Sequence, residues 1–174
     1  MNREELINSN QKLSNDTTVY FFHEHEENGF LSQWYKSKFT ENGIEFNTAE
    51  QYMMYKKAEL FNDDIVKQKI LSTSNPKIIK ALGREVKNFD EKIWNEHKYN
   101  IVLQGNILKF SQNGILKTLL IGTGNKILVE ASPYDKIWGI GIDPHNADRF
   151  DPNLWKGQNL LGFAIMEARE KILN

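Results

Sequence analysis

The sequence predicts a mainly helical α+β domain with a small antiparallel sheet. Three observations lead there. Several stretches join helical periodicity to a recognisable start signal. The strand-like runs lie towards the two ends of the chain instead of alternating with helices, which disfavours a doubly wound parallel sheet. Asn42-Gly43, between short apolar runs, marks a tight hairpin.

In order along the chain, residues 1–17 are polar and aperiodic and are expected to form a loosely docked arm. One domain over residues 18–174 follows. Thr18-Val19-Tyr20-Phe21-Phe22 predicts a buried strand, and residues 39–46 a hairpin whose turn needs the positive φ that Asn and Gly tolerate. Thr48-x-x-Gln51 is a capping box that opens a helix over residues 49–61. Asn62-Asp63-Asp64 ends it and caps another to Leu71. Asn75-Pro76 begins a third, stopped by Gly83. Asp90 caps a long helix through Phe110, and Asn113 starts one ending near Gly122. Residues 126–131 predict a strand and 137–142 a second short one, with glycines where the backbone is approached closely. A turn near Trp155 precedes a closing helix over residues 159–172.

A length of 174 residues suffices for one proper core, and 40% hydrophobic with 26% charged residues is ordinary for a globular chain. A net charge of -1 supplies no overall pull towards nucleic acid. Cysteine is absent, which rules out disulfides and thiolate zinc sites and suits a reducing cytoplasm. No apolar run suggests a signal peptide or a membrane span.

The most informative feature lies on the helix over residues 49–61. At ~100° per residue, Leu60, Met53, Phe61 and Met54 span an arc from ~20° to ~140°, and Glu50 and Lys57 fall inside it. Charges in an apolar stripe are costly unless paired, wet or neutralised. The two lie ~10.5 Å apart along the helix, a spacing suited to bracketing a small molecule. Perturbed ionisable groups in a cleft are functional candidates. The alternative is that Tyr52 and Tyr55 face the core and the Glu50 side is solvated surface.

Other motifs are weaker. His23-Glu24-His25-Glu26 lacks the spacing of common zinc sites, and a strand would place both histidines on one exposed face; no metal is expected. Gly122-Thr123-Gly124-Asn125-Lys126 lacks the ending of a phosphate loop and fits a helix stop with a tight turn. Residues 30–39 interleave aromatics, hydroxyls and lysines, either as a surface that stacks a base and holds phosphate or as an amphipathic strand with solvated lysines. Glu130-Ala131-Ser132-Pro133-Tyr134-Asp135 and Trp138-Gly139-Ile140-Gly141 cluster carboxylates, a hydroxyl, aromatics and glycines at a strand end, where sites gather. The alternative there is a turn in which Asp135 caps backbone donors. Trp155-Lys156-Gly157-Gln158-Asn159 leads into the last helix, whose first amides suit a phosphate or sugar oxygen, or ordinary capping.

Taken together, Phe30-Leu31-Ser32-x-Trp34, Thr48-Ala49-Glu50-Gln51-Tyr52-Met53-Met54-x-x-Lys57-Ala58, Leu82-Gly83-Arg84, Trp94, Lys109-Phe110, the segment over 130–141 and Trp155-x-Gly157-x-Asn159-Leu160-Leu161-Gly162 resemble the NADAR, or YbiA-like, family. The resemblance spans nearly all of residues 18–172 with the order intact. It implies a mainly helical α+β fold and cleavage of N-glycosidic bonds between ribose C1 and an amino group. The implied substrates are ADP-ribosylated guanine, free or in nucleic acid, and ribosylamino-pyrimidine phosphates of riboflavin synthesis. A non-catalytic ADP-ribose-binding module is the alternative. Met54 stands where many members carry another residue, often glutamine, and this departure changes the pocket wall.

On this reading Lys57 attacks the opened C1 as a Schiff-base nucleophile, or stays charged as an electrostatic clamp. Glu50 shuttles protons and Asp135 fixes the ribose hydroxyls or a water. Trp34 and Trp138 stack on the base, while Arg84 and the helix start at Asn159 take phosphate. Further substrate contacts are expected from Ser32, Trp94, Glu130, Ser132 and Gly139. No cofactor is implied.

Overall fold

A computed structural model of the chain describes residues 1–173. Among them are seven α-helices and four short strands: α1 (Arg3–Asn8), β1 (Thr18–Phe21), β2 (Phe39–Glu41), β3 (Ile44–Phe46), α2 (Ala49–Leu60), α3 (Asp64–Leu71), α4 (Pro76–Leu82), α5 (Glu91–Ser111), α6 (Gly114–Gly122), β4 (Ile127–Glu130) and α7 (Leu160–Leu173). The strands form two separate pairs. β2 and β3 are an antiparallel hairpin turned by Asn42 at φ 50° and Gly43 at φ 80°. β1 and β4 run parallel, with Thr18 beside Ile127 and Phe21 beside Glu130. The small sheet is therefore antiparallel only in its hairpin.

The helices start where their sequences place them. The side chains of Asp63, Asn75 and Asp90 each accept a backbone N–H of the helix that follows. Thr48 Oγ1 accepts from Gln51 N at 3.1 Å, but the reciprocal half of the capping box shifts by one residue. Gln51 Oε1 takes the Asn47 N–H at 2.7 Å, while its Nε2 donates to Ile70 O and Thr73 O, fastening α3 against α2.

Three expectations need correction. The polar arm does not hang loose: Asn2 and Glu5 cap α1, Arg3 Nε donates to Pro152 O at 2.9 Å, and Leu6 and Leu13 enter the core. Residues 30–39 make a 3-10 turn over Gly29–Leu31 and then irregular turns, not an amphipathic strand. Residues 137–142 form no strand either. Gly139, Ile140, Gly141 and Ile142 are all buried, so no exposed face alternates with them, and the hydrogen bonds scatter: Ile140 N donates to Glu130 O, and Ile140 O and Gly139 O accept from Lys156 N and Asn159 N. Gly141, at φ 66°, breaks any ladder.

α5 packs along α7, α7 lies on β4, and α2 is held between α3, α4 and α5. No described helix is long and apolar enough to cross a membrane. The two parallel strands point their C-terminal ends at the same place as the first turn of α2, and a cavity opens there.

Candidate active site

The cavity has a volume of about 510 Å³, within the range that small-molecule sites occupy. α2 contributes Glu50, Met53, Met54 and Lys57; the turn after Leu31 contributes Ser32, Gln33 and Trp34; α4 and its exit contribute Lys80, Gly83 and Arg84. From the C-terminal half come Glu130, Ser132, Tyr134, Asp135, Ile137 and Trp138. α2 is buried on two sides. Tyr52 and Tyr55 pack edge-on against Phe46, while Glu50, Met53 and Met54 are also buried but face the cavity. The Glu50 side is thus a pocket wall and not solvated surface.

Glu50 is 4% exposed, and its Oε1 has no hydrogen-bond partner among the described residues. Burial pushes its carboxyl up to about 7; Lys80 opposes the rise and the charge of Asp135 adds to it. Glu130 Oε2 is likewise buried without a partner, and burial, then the charges of Asp135 and Glu50, push that carboxyl up to about 8 against the pull of Lys80. Lys57 Nζ donates to Gly83 O at 2.7 Å and sits over the rings of Phe89 at 4.2 Å and Trp94 at 5.5 Å. Burial, helped by the Arg84 charge, lowers its pKa.

Asp135 serves two purposes. Its Oδ1 accepts from Ile137 N at 2.9 Å and Trp138 N at 2.7 Å, the turn-capping bonds, yet the residue also lines the cavity. Ser132 Oγ accepts from Asp135 N at 3.2 Å, so the hydroxyl shapes the turn that carries the carboxylate. The wall over 32–34 is fastened from outside: Gln33 O accepts from Glu50 N at 2.9 Å, and the buried Lys109 Nζ donates to Ser32 O at 2.9 Å.

Three of the expected site residues stand behind the wall. Trp94 backs Lys57. Gly139 lets Glu130 approach, since a Cβ there would meet Glu130 O at 2.8 Å. Asn159 is fully buried: Oδ1 accepts from Glu130 N at 3.0 Å and Nδ2 donates to Leu128 O at 2.9 Å. With its side-chain amide committed to β4, Asn159 clamps the strand, and the backbone N–H groups of Asn159, Leu160 and Leu161, expected to take phosphate, donate to Gly139 O, Ile137 O and Trp138 O. Lys36 and Lys38 do not line the cavity, and Lys38 pairs with Glu45 at 2.8 Å.

Phe22, His23, Glu24, Lys80, Ile137 and Leu161 line the cavity without having been singled out as site residues. Phe22, His23 and Glu24 follow directly on β1, so the strand end gave the signal, which a metal-like motif obscured. Lys80 carries no such signal. Only the packing of α4 on α2 brings it to the cavity, within electrostatic reach of Glu50.

Residues 20–173 match the NADAR domain. The chain is 49% identical over 160 residues to an N-glycosidase of Acanthamoeba polyphaga mimivirus, covering 87% of this chain and 94% of that one. A riboflavin biosynthesis protein of Vibrio vulnificus is 29% identical over 154 residues, covering 88% of this chain but 38% of the Vibrio protein. The NMR structure of Escherichia coli YbiA superposes with a TM-score of 0.74 at 26% identity, covering 96% of this chain and 91% of YbiA. Sequence and fold agree, and the chain belongs to the NADAR domain family.

Proposed function

We propose that the chain is an N-glycosidase that hydrolyses the bond between ribose C1 and an amino group. One observation carries the reading: Glu50 and Lys57, seven positions apart on α2, both line a largely apolar cavity of about 510 Å³, joined by Glu130 and Asp135. The names of the mimivirus and Escherichia coli relatives, both N-glycosidases, support it.

Opening an N-glycoside needs a proton for the departing nitrogen and a nucleophile for C1. Lys57 supplies the nucleophile when neutral, which its burial favours. Its amine bonds to C1 as the amino group departs, and water then releases the sugar and restores the lysine. Glu50 exchanges protons with the reacting groups, in a site dry enough to strengthen each interaction. Asp135, held by its own turn, takes the ribose hydroxyls. Trp34 and Trp138 offer faces for the heterocycle, and Arg84 offers a planar cation for phosphate.

The substrate class that fits is a phosphorylated ribose joined through nitrogen to a heterocycle: ADP-ribosylated guanine, free or in nucleic acid, or a ribosylamino-pyrimidine phosphate. The name of the Vibrio relative favours the second. The absence of cysteine fits work in a reducing cytoplasm.

The test offers the purified protein both substrates side by side and measures released sugar, with and without borohydride. Release from one substrate, lost in Glu50→Gln, is the expected result, with borohydride fixing a sugar on Lys57. Tight binding without release overturns the enzyme. Turnover by Lys57→Ala with no adduct in the parent protein overturns the imine step alone.

A further inference from the structure

Two carboxyls, not one, present a buried and unpartnered oxygen at the cavity. Glu50 Oε1 and Glu130 Oε2 both lack any hydrogen-bond donor among the described residues, and both residues line the wall. A buried acceptor without a donor is costly, so each oxygen awaits a proton or a substrate group. The two are held quite differently. Glu50 rides on α2, whereas Glu130 ends β4 and is fixed by its backbone on two sides. Its N–H goes to Asn159 Oδ1 and its C=O accepts from Ile140 N at 2.9 Å, with Gly139 leaving just room for that carbonyl.

We propose that Glu130 is a second catalytic carboxyl, the acid that protonates the nitrogen leaving ribose C1, while Glu50 acts as the base. The proposal rests on the N-glycosidase reading and divides the proton work within it. As the C1–N bond breaks, its electron pair stays on nitrogen and takes the proton of Glu130, which is left as carboxylate. The water that completes hydrolysis gives its oxygen to C1 and a proton to Glu50. One water is consumed, one amine and one sugar are released, and proton exchange with solvent restores both carboxyls. The same proton is needed whether Lys57 or water meets C1.

Division of labour follows from surroundings. Glu130 has Asp135 and Glu50 near it, both anionic when charged, with Lys80 opposing; Lys57, Arg84, His23, Glu24 and Tyr134 complete the charged and titratable lining. That neighbourhood holds the proton on Glu130 more tightly than on Glu50, as two nearby carboxyls do not readily ionise together.

The experiment compares two ribosyl substrates of the proposed class, one with an ordinary amino-heterocycle as leaving group and one with a strongly electron-withdrawing heterocycle that departs without protonation. Glu130→Gln is expected to lose ~100-fold or more in kcat on the first, with KM within about threefold, and to recover to within about tenfold of the parent on the second. Glu50→Gln should stay impaired on both. Equal impairment of Glu130→Gln on both substrates, or a change in KM alone, overturns the assignment while leaving the glycosidase standing. No sugar release by the parent protein from either substrate overturns the glycosidase itself, and this proposal with it. If circular dichroism shows Glu130→Gln unfolded, Glu130→Asp is judged by the same leaving-group split.

Discussion

Glu50 occupies the first turn of α2 with one oxygen shut away from any donor, and the fold bears the consequence. Its carboxyl titrates near 7 when folded against 4.5 in the unfolded chain. The folded protein therefore keeps a proton that the unfolded chain releases, and stability falls as pH rises between those values, then levels off. Glu130 acts in the same direction over a window reaching to about 8. Glu50→Gln should abolish turnover yet raise stability above neutral pH by up to roughly 3 kcal/mol, seen as a higher urea midpoint near pH 8 and a smaller gain near pH 5. An unchanged midpoint at both would show that the carboxyl is not desolvated. Glu50 and Lys57 were legible in the sequence because charge in an apolar arc is a local signal. Asn159 was not, since its amide reaches Glu130 and Leu128, about 30 positions away.

Elements show where periodicity succeeds and where it misleads. Capped helices were legible because Asp63, Asn75 and Asp90 advertise their starts. α2 reads as ambiguous on a wheel because it has two buried faces, one on the core and one on the cavity. Residues 137–142 imitate a strand because Ile140 and Ile142 alternate with Gly139 and Gly141 in the sequence, whereas all four are buried and their hydrogen bonds serve separate segments. α5 carries the least visible device: Lys109, fully buried, holds the Ser32 carbonyl while Asn106 Nδ2, one turn earlier, donates to Gln33 Oε1 at 3.2 Å. Burial pushes Lys109 down to about 7. In Lys109→Met, relief of the buried amine offsets the orphaned carbonyl, so stability should change by less than about 1 kcal/mol. The wall over 32–34 loosens, and KM should rise severalfold more than kcat falls. Steady-state kinetics beside urea unfolding separates this from general damage, in which both would collapse together.

At the scale of the molecule, the cavity draws on α2, α4, both parallel strand ends and the start of α7, so it has no independent scaffold. Tryptophan fluorescence, followed in a variant with Trp94 and Trp155 replaced by Phe so that it reports Trp34 and Trp138 at the cavity, should therefore lose its native signal at the same urea concentration as the helical circular dichroism. A fluorescence change at lower urea would show that the site opens before the fold does. The parallel pairing of β1 with β4 was the least legible feature of all, because it joins Thr18 to Ile127 across the whole helical middle and no local pattern encodes a partner so distant. That pairing also orders events during synthesis. Synthesis must pass Glu130 before the first strand can meet its mate, and Leu161 before the last wall of the cavity exists, so a nascent chain already bearing Glu50 and Lys57 has no working pocket until both segments have emerged.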